Sequence, residues 1–273
     1  MKYVYPIVSR RAGGLSIGLN LSPTARCQFA CVYCQILSEL EGKPRYSNSL
    51  VDVLQLESEL REMIGMVVSG ELFQDEVFRR TPPDKRVLRD VAFSGDGEPT
   101  LCPQFPEIVQ RVAAIRAECC PEPTKLVVIT NGGCLDVPSV RDALRFLCAN
   151  HGEVWAKLDA GTEEYFRTVS RSALPFEKIL SNLVSAAKEF PIVVQSCFLS
   201  LQGVTPPATE IQAYIARLRE IADAGTIQRV QIYTVARQPP EPWVRALPDT
   251  RIDEIAATAR RETGLIVETF YSR

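Results

Sequence analysis

Cys27, Cys31 and Cys34 lie in the run Arg26-Cys27-Gln28-Phe29-Ala30-Cys31-Val32-Tyr33-Cys34, a C-x3-C-x2-C triplet. Three thiolates so close together let one loop ligate three corners of a cubane iron–sulfur cluster. No obvious fourth ligand stands nearby, which leaves one iron open to bind something other than the protein. A cluster that only carries electrons is ordinarily held by four cysteines. An open iron points instead to chemistry on a bound molecule, by the logic that separates closed from open metal sites. With 9 cysteines in 273 residues, this spacing arises by chance on the order of 0.01 times. The competing chemistry is zinc, which needs a second cysteine knuckle or a histidine pair to complete its tetrahedron. His151 is the only histidine, and Cys102, Cys119, Cys120, Cys134, Cys148 and Cys197 form no second knuckle. Spacing favours the cluster and leaves zinc open.

The elements that must carry this loop follow from the hydrophobic pattern. Leu15–Leu21 reads as a short strand feeding the cysteine loop. Ser49–Met66 carries apolar residues at helical spacing, with Gly70 as a stop. Further strands are predicted at Asp90–Ser94, Lys125–Thr130, Glu153–Leu158, Ile192–Leu199 and Gln228–Val235, with another at Leu265–Thr269. Helices are predicted at Pro106–Arg116, Ser139–Ala149, Phe176–Glu189, Thr209–Ala224 and Ile252–Glu262. Continuous apolar strands alternating with amphipathic helices imply a parallel sheet covered by helices. Six strand–helix units are too few to close an eight-stranded barrel. The predicted fold is therefore α/β, an open partial (β/α)6 barrel. It is read as a single domain over residues 1–273, with a core at about 15–262, short terminal extensions, and loop excursions at Gln35–Asn48 and Phe73–Asp90.

In such sheets ligands bind at the carboxyl ends of the strands, and the chemically loaded residues of this chain fall there. The cysteine loop follows the first strand. Ser94-Gly95-Asp96-Gly97-Glu98-Pro99-Thr100 follows the second and Thr130-Asn131-Gly132-Gly133 the third. Lys157 and Asp159 end the fourth, on one face because they alternate. Gln195 and Ser196 lie on the fifth, and Thr234-Val235-Ala236-Arg237 closes the sixth.

Composition bounds the rest. Hydrophobic residues make up 46% and charged residues 23%, ordinary for a globular protein. No apolar run reaches membrane-spanning length, and the N-terminus lacks the apolar core of a signal peptide. These features predict a cytoplasmic protein with reduced cysteines, those outside the triplet serving as small core hydrophobes. A net charge of -2 gives no global field for nucleic acid, which stays an unsupported partner. The basic stretch with Arg79, Arg80, Lys85, Arg86 and Arg89, like Arg10, Arg11 and Arg237, reads as a solvated surface rather than a phosphate site.

The triplet with an aromatic before its last cysteine (Cys27, Cys31, Tyr33, Cys34) resembles the signature of the radical S-adenosylmethionine (SAM) superfamily. Gly95-Asp96-Gly97-Glu98-Pro99 resembles that superfamily's Gly-Gly-Glu segment, with Asp96 where the simplest motif has glycine. The phrases VSRRAGGLSIGLNLSPTARCQFACVYCQ, FSGDGEPTL, ITNGG and KLDAGTEEYF are similar to a small branch related to the tRNA wybutosine-synthesis enzymes, across most of residues 6 to 240. That branch carries additional N-terminal cysteines, whereas this chain has none before Cys27.

The resemblance implies that Cys27, Cys31 and Cys34 hold a 4Fe–4S cluster whose fourth iron is chelated by SAM. Glu98, with backbone groups of Gly95, Asp96 and Gly97, would receive the SAM ammonium. Tyr33 would lie near adenine, and Val235 would offer its backbone to the adenine edge. Asn131, Lys157, Asp159, Gln195 and Ser196 would serve the methionine carboxylate and ribose hydroxyls. The implied reaction is reductive cleavage of SAM to a 5′-deoxyadenosyl radical that takes hydrogen from a small molecule, a peptide or a nucleotide. The electron would come from a low-potential donor of flavodoxin or ferredoxin type.

Each assignment has a plainer counterpart. Glu98-Pro99 also suits the first turn of a helix, and Asn131-Gly132 is a common turn dipeptide. Among functions, the alternatives are an activator that installs a radical on a partner protein, a tRNA-base-modifying enzyme, and a zinc-binding module without turnover.

Overall fold

The computed structural model describes residues 1–22, 24–36 and 50–272, so the excursion read at Gln35–Asn48 lies beyond Ile36 outside the described residues. The chain forms two compact units. The first comprises Met1–Arg26, Ser47–Ile129 and Pro138–Val154; the second comprises Cys27–Tyr46, Thr130–Val137 and Trp155–Arg273, so far as these are described.

In the first unit, β1 (Val4–Ser9) and β2 (Gly14–Leu19) form an antiparallel hairpin. Every residue of β2 is buried, the mark of a strand covered on both faces. α1 (Val53–Ser69) starts where Asp52 accepts the Gln55 N–H at 3.0 Å and stops at Gly70, whose φ of 83° suits glycine. Leu56, Leu60, Met63, Ile64 and Val67 form its buried stripe. β3 (Leu88–Phe93), α2 (Phe105–Cys119), β4 (Lys125–Thr130) and α3 (Pro138–Ala149) follow, with β2, β3 and β4 paired in parallel, and β5 (Gly152–Lys157) starts in this unit and belongs to the second from Trp155 on. The N-terminus is held by one side chain: Glu59 on α1 accepts the backbone N–H groups of Lys2, Tyr3 and Val4.

The second unit contains α4 (Glu163–Ser170), α5 (Phe176–Glu189), β6 (Ile192–Cys197), β7 (Leu199–Leu201), α6 (Ala208–Ala224), β8 (Ile227–Tyr233), β9 (Val244–Ala246), α7 (Asp249–Thr263) and β10 (Val267–Phe270). β6, β8 and β10 are parallel neighbours, while β7 and β9 make a separate antiparallel ribbon. Two faces alternate along these strands. Val194, Val230 and Val267 stand in one row; Gln195, Gln231 and Glu268 stand in the next.

The six strand–helix units read from the pattern are those that start at β2, β3, β4, β5, β6 and β8. The pattern did not foretell β1, α4 or the β7–β9 ribbon. The expectation that every cysteine outside the triplet is a core residue holds for Cys102, Cys134 and Cys197, whereas Cys119, Cys120 and Cys148 are half-buried. Cys119 and Cys120 close α2 between Glu118 and Pro121, and Phe146, two residues before Cys148, is 37% exposed.

Candidate functional site

The cysteine loop belongs to the second unit and is pinned there by backbone. Ala30 N–H donates to the Ser170 carbonyl at 3.0 Å and Val32 N–H to the Val169 carbonyl at 2.9 Å. The last carbonyls of α4, which have no partner within the helix, thus fasten the stretch between Cys27 and Cys34. Phe29 packs edge-on to Phe166 at 5.5 Å, and Phe166 stacks on Phe176 at 5.0 Å. Val32 is fully buried with Val169, Cys197, Leu199 and Val244, and Tyr33 and Val235 pack against that cluster. The β7–β9 ribbon supplies part of this support, and Val235 packs against the same cluster.

None of the three cysteines is in a disulfide, and all three are half-buried. The Cys27 Sγ accepts from Phe29 N–H at 3.4 Å and from Asn131 Nδ2 at 3.6 Å. Burial, then the charge of Asp159 and the other two thiols, pushes the Cys31 thiol well above its ordinary value. A cation among these sulfurs is what would hold all three as thiolates. Among the described residues, no three His, Cys, Asp or Glu side chains converge as ligands of a single ion do. Cubane ligands each bind a different iron and need no such convergence. The donor set, its accessibility and the N–H groups aimed at sulfur fit an iron–sulfur cluster.

Asn131 takes the turn role of its dipeptide and also contacts the cysteine loop. Its Oδ1 accepts Gly133 N–H at 2.8 Å, closing the turn, while its Nδ2 reaches Cys27 and the Gln28 side chain. Lys157 and Asp159 form an ion pair at 2.9 Å, nearly free of solvent. Asp159 also accepts the Tyr33 hydroxyl at 2.5 Å and the Cys197 N–H at 2.7 Å, and Lys157 donates to the Tyr233 hydroxyl. Burial alone would lower the Lys157 pKa; Asp159 and Tyr233 outweigh it, so the net shift is upward and the ammonium is locked on. Tyr33 moves up as well, from burial and from Asp159. Lys157, Asp159, Phe29, Phe166, Ser170 and Phe176 line a small pocket.

Gln195 and Ser196 are both fully buried but face opposite ways. Gln195 donates to Gln231 at 2.7 Å, and Gln231 to Glu268 at 3.2 Å. The Ser196 hydroxyl meets that of Tyr214 on α6 at 2.8 Å, on the helix-covered side of the strand.

The glycine-rich loop belongs to the first unit. Glu98 is the N-cap of a 3-10 turn at Pro99–Leu101, the plainer role its dipeptide allowed. Its N–H donates to the Arg26 carbonyl at 2.9 Å, and the Arg26 guanidinium reaches the Leu101 carbonyl at 3.2 Å. Asp96 is half-buried and accepts from Asn20 Nδ2 at 2.7 Å. Arg10 and Arg237 are exposed as expected, and Arg11 is half-buried.

Sequence reasoning missed Arg26, Asn20, Tyr233 and the end of α4. Tyr233 ends β8, so the rule that found Lys157 reaches it too. α4 is announced by Thr162, which accepts Tyr165 N–H at 3.2 Å, followed by Glu163 and Glu164 in the first turn. Arg26 and Asn20 act largely through backbone groups and a neutral amide, and leave no such mark.

Residues 21–199, well over half of the chain, match the model of the Radical SAM superfamily, and the chain belongs to it. A structure of TYW1 with a lysine–pyruvate adduct bound matches with a TM-score of 0.53 at 16% identity, over 92% of this chain and 74% of that one. Streptococcus suis SuiB matches at 0.58 and 11% identity, over 90% and 47%. A doubly substituted spore photoproduct lyase with bound AdoMet and dinucleoside spore photoproduct matches at 0.57 and 10%, over 98% and 79%. At these identities the likeness is one of fold: α/β, with a mostly parallel sheet forming the open partial barrel expected from the pattern. Among curated proteins, GTPase Obg of Brachyspira hyodysenteriae is 24% identical over 251 residues, 91% of this chain and 32% of that protein. The chain thus spans about a third of that relative's length, and it contains no G-x4-G-K-S/T phosphate loop. Among the described residues, no helix is long and apolar enough to cross a membrane.

Proposed function

We propose that this chain is a radical SAM enzyme acting as one working domain. Cys27, Cys31 and Cys34 hold three irons of a 4Fe–4S cluster, and the Gly95–Glu98 loop takes the amino acid end of SAM. The observation that carries this is the triplet itself. It lies inside the stretch matched to the superfamily, outside any disulfide, in a loop whose backbone is fastened to α4 and whose first sulfur accepts N–H groups. Bound there, the cluster and SAM would supply a 5′-deoxyadenosyl radical, with the electron taken from a flavodoxin- or ferredoxin-type donor.

The chain's own residues orient and exclude. Phe29, Phe166 and Phe176 wall the cysteine loop on one side, and the β7–β9 ribbon with Trp243 walls it on another. Asn131 steers the Cys27 sulfur. Tyr33 ties the loop to the Lys157–Asp159 pair, and Tyr33 and Val235 flank the position the adenine would take. Gln195 contributes through its row with Gln231. Hydrogen abstraction by a carbon radical needs no side-chain base, which agrees with Lys157 being locked as a cation. The substrate is a small molecule, a peptide or a nucleotide.

Anaerobic reconstitution tests the reading. The expected result is a brown protein with about four irons per chain that forms 5′-deoxyadenosine from SAM under reductant, and that loses iron on Cys31→Ala. A colourless protein carrying one zinc would sink it.

A further inference from the structure

The turn that joins β5 to α4 is gripped by α6. Glu210 Oε1 accepts the Gly161 N–H at 2.5 Å, and its Oε2 accepts the Thr162 hydroxyl at 2.6 Å. Arg217, two turns further along the same helix face, donates from Nε to the Gly161 carbonyl at 3.3 Å. One helix thus takes both backbone groups of one residue. It also leaves no room for a side chain there, since a Cβ on Gly161 would stand 2.0 Å from the Tyr214 backbone nitrogen. Only glycine allows this approach. Glu210 is 4% exposed and lies in the first turn of α6, where the helix dipole favours a carboxylate.

Each end of the gripped turn carries a tie to the cysteine loop. Asp159, two residues before Gly161, accepts the hydroxyl of Tyr33, the residue before Cys34. Thr162, the residue after Gly161, caps α4 by accepting the Tyr165 N–H at 3.2 Å. The far end of α4 supplies the Ser170 and Val169 carbonyls that take Ala30 and Val32 N–H. These two residues flank Cys31. A shift of the turn therefore reaches the loop at both places, because a close-packed interior transmits strain.

We propose that Glu210 is a positioning residue for the cysteine loop. By fixing Gly161 and Thr162 it sets where Asp159 and α4 stand, and through them how the three sulfurs are spaced. The inference deepens the reading of the triplet as a cluster site and rests on it only for the spectroscopic part of its test. The plainer role for Glu210 is one more buried bond, whose loss would weaken the surrounding fold evenly.

Amide hydrogen exchange in the cluster-free protein separates the two roles, because it reports local opening residue by residue. Glu210→Ala orphans the Gly161 N–H and is expected to speed exchange at Ala30 and Val32 roughly 10- to 100-fold. The Val230 N–H, bonded to the Ile266 carbonyl at 2.8 Å in the sheet, is expected to keep its wild-type rate. Glu210→Gln retains an acceptor for Gly161 but not the charge, and a rise of roughly 3- to 10-fold at the same two amides is expected. That milder variant decides the matter if Glu210→Ala does not fold. After reconstitution, the electron paramagnetic resonance spectrum of the reduced cluster is expected to broaden in the order wild type, Glu210→Gln, Glu210→Ala. Unchanged exchange at Ala30 and Val32, or equal acceleration at all three amides, would overturn the proposal, as would one spectrum shared by all three proteins. A wild-type chain that takes up no cluster would refute the cluster reading, while the exchange rates still decide what Glu210 holds.

Discussion

Gly97→Ala isolates how the glycine-rich loop closes on the residue that precedes the first cysteine. A Cβ at Gly97 would stand 2.3 Å from the Arg26 carbonyl oxygen, 2.7 Å from Ser22 Oγ and 2.8 Å from Ser22 Cβ. The first neighbour is backbone, so no rotamer change relieves it, and opening to van der Waals contact needs a shift of about 1 Å. That shift pulls on the Glu98 N–H bond to the same carbonyl, 2.9 Å long. Overpacking costs roughly 1–3 kcal/mol, and a weakened hydrogen bond adds about 1 kcal/mol. The sum, about 2–4 kcal/mol, corresponds to a fall of roughly 4–8 °C in Tm for a chain of this size. Gly97 is not among the glycines at positive φ, so the effect is steric rather than conformational. Thermal unfolding of the cluster-free protein measures it, and iron uptake on reconstitution is expected to fall in parallel because Cys27 follows Arg26. Ser22→Ala in the same background is expected not to rescue, since the carbonyl remains. A Gly97→Ala protein melting within experimental error of wild type would refute the reasoning.

Other substitutions probe the remaining parts. Gly65→Ala, in the interior of α1 where a Cβ meets nothing within 4 Å, is expected to stabilise by about 0.5–1 kcal/mol, read as a rise in Tm. Asp159→Asn leaves the Lys157 cation buried without its counter-charge and is expected to cost about 3–5 kcal/mol, whereas the double variant with Lys157→Met recovers much of it; a single variant as stable as wild type in urea unfolding would contradict this. Burial raises the Asp90 carboxyl to about 6, opposed by its bond from the Ser16 hydroxyl. An acid with a raised folded pKa loses its proton first in the unfolded chain, so stability falls as pH rises from about 4 to about 6; Asp90→Asn should flatten that slope and gain at most about 3 kcal/mol at neutral pH. Burial of Glu59 would raise its pKa, but the N–H groups of Lys2, Tyr3 and Val4 overcome this and the net shift is downward. Its contribution is therefore full above the ordinary value of about 4.3 and lost as pH falls through the depressed one, and Glu59→Gln should lower stability at neutral pH and remove that acid limb.

The main sheet was legible because its strands are buried on both faces and read as unbroken apolar runs; Lys125–Thr130 and Phe176–Glu189 come out at the boundaries the pattern predicts. The elements that escaped each lack that signal. β1 is half-exposed and interrupted by Pro6, so it reads as a loop although its backbone pairs fully with β2. β7 and β9 are three residues each, too short for any period. α4 spans eight residues with three buried, and its TEEYF start was absorbed into the loop after β5. The candidate residues at strand ends were legible because chemistry gathers where strands stop. Which of them point inward was less so: Gln195 and Ser196 are neighbours with similar polarity, yet the pleat sends one to Gln231 and the other to Tyr214.

The elements that escaped are the ones that hold the cysteine loop, and this has a physical reason. A cluster loop has no helix or strand ladder of its own to pair its backbone, so it borrows rigidity from backbone groups that a neighbouring element leaves unpaired. The carbonyls at the end of α4 are such groups, and they take Ala30 and Val32 on either side of Cys31. A long helix would offer the same carbonyls no better than a short one. What matters is where it ends, and Arg171 at φ 45° ends it there. The ribbon works likewise: Leu199 and Val244 need only reach Val32 and Val169 to close the cluster, so three residues per strand suffice. Tyr33 then ties the loop to the buried Lys157–Asp159 pair. The support of the loop is thus made of short pieces chosen by position rather than by propensity, and composition and periodicity are blind to it.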